Sequence, residues 1–133
     1  MLELLAPAGN LDAVIAAVQN GADAVYMGFG DGFNARRSAD NFTRESFAKA
    51  VRYCHIRGCK VYVTLNTLVG DREMEAAAAL AQQASDAGAD AILVQDLGLA
   101  RVLRDALPDI PLHASTQMSL HNLAGVEAAA EMG

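Results

Sequence analysis

The sequence predicts an α/β fold in which a parallel β-sheet alternates with helices. Apolar runs of strand length alternate with stretches of helical spacing five times along the 133 residues. One helix-to-strand joint occurs twice, as Asn20-Gly-Ala-Asp-Ala-Val25 and as Ala87-Gly-Ala-Asp-Ala-Ile92. The strand-length runs are apolar at consecutive positions, which is typical of parallel strands that are covered on both faces. Right-handed crossovers are therefore expected to join successive strands.

An unusually long connection follows the second predicted strand. An apolar run over residues 2–5 predicts the first strand, and Asn10 is a suitable N-cap for a helix over residues 11–20. The second strand is predicted at residues 24–27. Residues 29–42 then show no helical or strand period, and loops of this length in compact domains are often functional.

The rest of the chain continues the alternation of helices and strands. Glycines and prolines end the helices, and Asp96 is the N-cap of the fourth. The predicted elements are a helix from the cap Thr43 to residue 57, a strand at 60–65, a helix at 71–87, a strand at 91–94, a helix from 97 that Pro108 ends, a strand at 110–114, and a helix from 119 or 121 to 131.

Two architectures agree with five such units, an open doubly wound sheet and part of a TIM (β/α) barrel. A doubly wound sheet usually carries a phosphate-binding loop after its first strand. Here that position holds Ala6-Pro-Ala-Gly-Asn10, which matches neither the G-x-G-x-x-G motif nor a P-loop. Five strand-helix units in 133 residues have the length per unit expected for the first five of the eight units in a barrel of about 250 residues. We therefore expect residues 1–133 to be the N-terminal part of a barrel, truncated at its C-terminal end. An incomplete barrel is expected to self-associate or to exchange elements with another copy.

Composition excludes several classes of protein. A net charge of −6 and a pI near 4.8 argue against a strongly basic nucleic-acid surface. The chain has no apolar stretch long enough to cross a membrane and no signal-peptide pattern, so we expect a cytoplasmic protein without a membrane partner. Cys54 and Cys59 do not make a disulfide framework and are interpreted as buried, reduced thiols.

Polar residues gather where the predicted strands end, above all in His113-Ala-Ser-Thr-Gln-Met-Ser-Leu-His-Asn122. In an extended chain His113, Ser115 and Gln117 would point to the same side. Most of these groups are neutral, but Arg36 or Arg37 could bind a carboxylate or phosphate through two hydrogen bonds. Such a set predicts a pocket for a small polar or anionic molecule. The alternatives are that the arginines are solvated loop charges and that His113 is a structural residue.

Other chemistries have less support in the sequence. A nucleophilic serine is not indicated, since no G-x-S-x-G motif is present and no base stands at a diagnostic spacing from Ser115. His113 and His121 are eight residues apart without a carboxylate between them, which does not match a metal site.

Six ordered motifs resemble the N-terminal region of the peptidase U-32 family, whose members are called collagenase-like proteases. They span almost the whole chain: Glu3-Leu-Leu-Ala-Pro-Ala-Gly-Asn10, Asn20-Gly-Ala-Asp-Ala-Val-Tyr-Met-Gly28, Phe33-Asn-Ala-Arg36 with Asn41-Phe42, Val63-Thr-Leu-Asn-Thr67, Asp90-Ala-Ile-Leu-Val-Gln-Asp96 and His113 to Asn122.

The resemblance implies a peptidase, or else an oxygen-independent hydroxylation enzyme acting on RNA or a quinone precursor. The hydroxylation factors carry an iron–sulfur cluster, and the RNA-directed ones are linked to prephenate as a hydroxyl source. The cluster cysteines belong to a later part of the family pattern. Cys54 and Cys59 do not match them, so no cofactor is expected in this chain and a cluster only in the full-length protein. A scaffold fragment without independent activity is the third alternative.

The resemblance also implies a substrate-binding set, with Arg36 as the anion clamp and with a small anionic molecule or a peptide as ligand. Nucleic acid would be bound only through the full-length protein, and catalytic residues are not assigned. The matched positions are Asn34, Arg36, Asn41, Asn66, Gln95, His113, Ser115 and Gln117.

Overall fold

A computed structural model describes residues 2–35 and 41–133 of the chain. These residues form one five-stranded parallel sheet with a helix after each strand. The strands are β1 (Leu5–Pro7), β2 (Ala24–Met27), β3 (Lys60–Leu65), β4 (Ala91–Val94) and β5 (Leu112–Ala114). The helices are α1 (Leu11–Gln19), α2 (Arg44–His55), α3 (Met74–Asp86), α4 (Leu97–Ala106) and α5 (Leu123–Glu131), and a 3₁₀ helix (Thr116–Met118) lies between β5 and α5.

The strand order decides between the two predicted architectures. Each strand pairs in parallel with its neighbour in the sequence, in the order β1-β2-β3-β4-β5. A doubly wound sheet would reverse this order at a switch point, whereas a (β/α) barrel keeps it throughout. The prediction of a partial barrel is therefore confirmed.

The two faces of the sheet bury different residues. Val61, Val63 and Leu65 of β3 belong to the main core, together with buried helical residues such as Phe47 and Leu99. The register places Tyr62 and its neighbours on the opposite face, where no helical residue joins their cluster. This second face corresponds to the interior of the barrel. It holds Ala24, Tyr26, Tyr62, Ala91 and Leu93.

The first three helices end at the same kind of joint, a Schellman motif with glycine in the left-handed conformation. Gly21, Gly58 and Gly88 have φ angles of 89°, 72° and 100°. In each case the residue after the glycine donates its N–H to the carbonyl five positions earlier, and the glycine donates to the carbonyl three positions earlier. The first of these bonds joins Ala22 to Ala17, Cys59 to Cys54 and Ala89 to Ala84, at 3.1, 3.1 and 3.0 Å.

The aspartates of the repeated joint fasten each strand to the one before it. Asp23 Oδ2 accepts a hydrogen bond from Leu4 N at 2.7 Å, and Asp90 Oδ2 accepts one from Val61 N at 2.7 Å. Lys60 takes this position in the middle joint, and its Nζ lies 3.4 Å from a carboxylate oxygen of Glu3. The sequence repeat therefore reflects a repeated contact at the amino ends of the strands.

Several predicted boundaries were wrong. The first strand is Leu5–Pro7 rather than residues 2–5, because residues 5–7 are the ones that pair with β2. Pro7 is tolerated there because an edge strand does not need every N–H. The fifth strand starts at Leu112 rather than at residue 110. The third helix begins at Met74, three residues later than predicted, since Gly70 and Glu73 form a turn before it.

Large apolar side chains are exposed at both edges of the sheet. Leu2 and Leu4 before β1 are 97% and 57% exposed, and Leu123 of α5 beside β5 is 73% exposed. None of the helices in residues 2–35 and 41–133 has the length and apolarity needed to cross a membrane. Exposed apolar side chains at the edge of a sheet are typical of a surface that contacts another protein chain.

We propose that the 133-residue chain self-associates through these edges. Its mass in solution, measured by size exclusion with light scattering, should exceed that of a monomer and rise with concentration. Leu123→Lys should lower the association, because it places a charge on the exposed edge helix. The matched control is Ile56→Lys, which lies at the end of α2 and is 72% exposed. A monomer at every concentration would contradict the proposal.

Candidate functional site

Two adjoining cavities open at the carboxyl ends of the strands, where α/β barrels bind their ligands. The smaller one, of about 60 Å³, lies over the ends of β1, β2 and β3. The larger one, of about 380 Å³, lies over the ends of β3 and β5 and extends along the inner face of the sheet, where Leu5, Tyr26 and Leu93 line it. Tyr26, Thr64 and Asn66 line both cavities. We call the two together the inner site.

The smaller cavity is built on the loop between β2 and α2. Backbone bonds between residues 28–30 and Phe42 close this loop at its base, at 2.9 and 3.0 Å. Above them, Asn41 donates to the carbonyl of Gly30 at 2.8 Å and accepts from Asn34 Nδ2 at 3.1 Å. Gly28 is needed beneath these amides, since a Cβ at that position would lie 2.1 Å from Asn41 Oδ1. The two asparagines therefore brace the loop as well as line the cavity.

Asn66 connects three parts of the inner site. Its Oδ1 accepts a hydrogen bond from Ala35 N at 3.0 Å, and its Nδ2 donates to Ser115 Oγ at 3.2 Å. Ser115 Oγ also accepts from Gln117 N at 3.2 Å, and Ser115 is buried. One amide thereby fixes the loops after β2, β3 and β5 relative to one another.

His113 is held from below by an aromatic contact. Its ring lies 4.9 Å from the ring of Tyr62, at an interplanar angle of 81°. The Tyr62 hydroxyl donates to the carboxylate of Glu3 at 2.8 Å, which fixes the tyrosine in turn. Burial raises the pKa of Tyr62, so the hydroxyl stays protonated and remains a donor. The imidazole nitrogens of His113 make no hydrogen bond to the described residues, and they are available to a ligand.

The structure brings most of the predicted site residues together but divides them between neighbouring spaces. Asn34 and Asn41 line the smaller cavity, and His113, Ser115 and Gln117 line the larger one. Asn66 belongs to both. Gln95 lies in an adjacent cleft that it shares with Gln117. Arg36 lies outside the described residues, so its role as an anion clamp stays a prediction.

One geometric expectation for this set was wrong. His113, Ser115 and Gln117 do not continue one strand face, because β5 ends at Ala114. Ser115 is the N-cap of the 3₁₀ helix that contains Gln117. The residues still converge, since all three line the larger cavity.

Sequence reasoning missed the aromatic residues of the interior. Tyr26 lines both cavities, and Tyr62 lies beneath His113. The signal was present in strand alternation, since Tyr26 and Tyr62 are paired in the register and share a face with Thr64. This alternation could not be recognised in the sequence, because the outward-facing positions of these strands are also apolar.

The inner site is suited to binding an uncharged polar or planar group. None of the described residues that line either cavity is Asp, Glu, Lys or Arg. Ser115 Oγ is engaged by an amide and a backbone N–H rather than by a base, so it is not an activated nucleophile. Within residues 2–35 and 41–133, no group of three His, Cys, Asp or Glu side chains could hold a metal ion.

The two cysteines do not fit the ligands of an iron–sulfur cluster. Cys54 and Cys59 lie at the joint between α2 and β3, at the opposite end of the sheet from the inner site. Both are buried, and burial raises the pKa of the Cys54 thiol to about 12. Cluster ligands are thiolates, and this environment disfavours the thiolate.

Comparison with protein families matches residues 9–133 to Peptidase family U32. The chain belongs to family U32. A solved structure, that of the U32 peptidase Mk0906, matches the whole chain and 56% of its own length, with a TM-score of 0.78 and 15% identity. At that identity the match supports the fold alone.

Two curated relatives are named for RNA hydroxylation. The chain is 40% identical over 132 residues to the 23S rRNA 5-hydroxycytidine C2501 synthase of Escherichia coli (strain K12). It is 39% identical over 131 residues to tRNA hydroxylation protein P1 of Bacillus subtilis (strain 168). These matches cover 99% and 98% of the chain but only 19% and 31% of the two relatives. The chain therefore spans less than a third of the length of either relative.

The bracing role of Asn66 leads to a prediction about local stability. Asn66→Ala removes the acceptor for the Ala35 amide, whose hydrogen exchange should accelerate about fivefold with the loss of one hydrogen bond. Asn66→Asp retains that acceptor and should keep the Ala35 amide protected. Exchange measured by nuclear magnetic resonance compares the three proteins. Equal exchange rates at Ala35 in all three would show that the bond has no role in holding the loop.

Proposed function

We propose that this chain is the N-terminal part of an RNA hydroxylation protein of family U32. The observation that carries the proposal is the uncharged inner site, in which His113 and Gln117 present unengaged polar groups beside Tyr26. Enzymes that modify a base in RNA take it out of its stack and read it by hydrogen bonds and aromatic contacts. The similarity to two proteins named for RNA hydroxylation supports the same assignment.

The size and polarity of the larger cavity support a single ring as the buried group. About 380 Å³ lies within the range of small-molecule sites, and the described lining carries no charge that would bind a phosphate. The net charge of −6 disfavours an RNA backbone on this part of the protein. We assign contacts with RNA phosphates to the rest of the full-length protein, which we place in the cytoplasm.

A hydroxylation also needs a source of the hydroxyl group. We propose a small carboxylate as this donor, with Arg36 as the residue that binds it through two hydrogen bonds. Arg36 follows Ala35, which Asn66 ties to the edge of the larger cavity. The arginine is therefore close in sequence to the site where the ring would bind.

Peptide hydrolysis is the second candidate, favoured by the name of the family. That reaction needs an activated nucleophile or a metal-bound water. Neither is present among the residues that the structure describes, where Ser115 has no base and no metal cluster occurs. A peptidase would therefore have to draw its catalytic groups from Arg36 to Asp40 or from outside the chain.

Substitutions in the inner site should reduce RNA hydroxylation by the full-length protein. His113→Ala and Gln117→Ala each remove one proposed hydrogen bond to the substrate, and Arg36→Ala removes the two proposed to the carboxylate donor. The yield of hydroxylated nucleoside should fall about tenfold for each of the first two variants and further for Arg36→Ala. The measurement is mass spectrometry of nucleosides from cells that lack the native protein and carry each variant. Gln82→Ala is the control, because Gln82 is exposed on α3 and, among the described residues, its side chain bonds Asp86 alone.

The outcomes separate the function from the site. Full activity in all three variants would refute the assigned residues but leave the function standing. No hydroxylated nucleoside from the wild-type protein would refute the function, and a peptide-cleavage screen on the same protein would then test the second candidate.

We also propose that the full-length protein binds an iron–sulfur cluster through cysteines outside this chain. Such a cluster supplies one-electron redox chemistry. Full-length protein purified without oxygen should contain iron and sulfide and absorb visible light, whereas the 133-residue chain should contain neither. A cluster bound by the isolated chain would contradict the unfavourable environment of Cys54 and Cys59. Its absence from both proteins would favour the peptidase.

A further inference from the structure

The cysteine pair at the joint between α2 and β3 has no part in the proposed function. Cys54 has no exposed surface and Cys59 is 3% exposed, so both sulfurs lie within the core. The Cys59 thiol donates to the Lys60 carbonyl at 3.6 Å, and a backbone hydrogen bond joins the two cysteines. Two adjacent buried thiols can be joined by oxidation without a large movement of the chain, provided that the backbone geometry allows it.

The Schellman motif at the end of α2 supplies that geometry. Cys59 N donates to Cys54 O at 3.1 Å, and Gly58 N donates to His55 O at 3.1 Å. The two cysteines therefore occupy the positions whose side chains touch when a helix ends in this motif. A backbone hydrogen bond of this length brings their Cα atoms within the separation that a disulfide spans.

The other two joints show that packing does not require sulfur at these positions. Ala17 and Ala22 occupy them at the end of α1, and Ala84 and Ala89 occupy them at the end of α3. Small side chains therefore suffice to close this motif in the same protein. The cysteine pair adds a chemical property that the alanine pairs lack.

We propose that Cys54 and Cys59 are a modification site at which a hydroperoxide forms an intramolecular disulfide. One thiolate attacks the peroxide, whose O–O bond breaks, and the departing oxygen leaves as an alcohol after gaining a proton. The resulting sulfenic sulfur is attacked by the second thiolate, so that the S–S bond forms and the S–O bond breaks with release of water. Two thiols lose two electrons, and the peroxide is reduced to alcohol and water.

The surroundings of the pair make this reaction slow near neutral pH. Burial raises the pKa of Cys54 to about 12 and also raises that of Cys59. Asp90, Asp23 and Glu3 add negative charge nearby, while Arg57 opposes them at Cys54. Because only the thiolate attacks, the rate of disulfide formation should rise about tenfold per pH unit below these pKa values.

The position of Arg57 provides a direct test. Trypsin cuts between the cysteines and after Arg52 and Lys60, giving the peptides 53–57 and 58–60. The folded chain is treated with hydrogen peroxide, unfolded with an alkylating reagent and digested. Mass spectrometry should find the two peptides linked in the oxidised sample and separately alkylated in the untreated one. The thermal midpoint of the oxidised protein should rise by a few degrees.

Two variants complete the experiment. Cys54→Ala should give no linked peptides, and Cys54→Ala/Cys59→Ala should keep the fold and show no change of midpoint with peroxide, since it reproduces the alanine pair of the other joints. Separately alkylated peptides after exhaustive oxidation, sulfinic acids in place of the link, or cross-links only between chains would each overturn the proposal. A rate that does not change between about pH 7 and about pH 9 would overturn the thiolate step.

Discussion

The structure depends on the joint that carries the chain from a helix into the next strand. At each of the first three joints, a left-handed glycine allows the chain to turn back, and two backbone bonds satisfy the last carbonyls of the helix. Asp23 and Asp90 then accept from backbone amides at the start of the preceding strands, those of Leu4 just before β1 and Val61 in β3. These contacts set the register of the sheet at its amino end. The direction in which side chains leave the carboxyl end follows from that register.

At the carboxyl end, the asparagines serve the fold and the site together. Asn66 joins the loops after β2, β3 and β5, while Asn34 and Asn41 lie against Gly28 and hold the base of the long loop. Such amides cannot move to meet a ligand without releasing a loop. Among the described residues, available groups include His113, whose ring Tyr62 supports, and the side chain of Gln117. In the inner site, the braced amides therefore hold the loops in place, and the available side chains offer hydrogen bonds to a ligand.

The sequence was sufficient for the order and type of the five strands and five α-helices, because glycine joints and apolar runs are local signals. It was insufficient for β1, since pairing with β2 rather than hydrophobicity selects Leu5–Pro7. It also identified residues that line the inner site, because carboxyl ends of parallel strands meet at one edge. It could not reveal that Tyr62 supports His113, since that contact joins distant segments of the chain.

The distribution of charge along the barrel axis gives the inner site its character. Glu3, Lys60, Asp23 and Asp90 lie at the amino ends of the strands, where they bind one another, backbone amides or the Tyr62 hydroxyl. The described lining of the cavities at the other end holds no charged side chain. An ion placed against this described lining would lose its hydration without gaining a charged partner, whereas an uncharged ring can exchange water for Tyr26, His113 and the amides. Among the described residues, these charges at the amino ends therefore serve assembly, and hydrogen bonding and shape are left to select the ring, while the proposed carboxylate donor depends on Arg36.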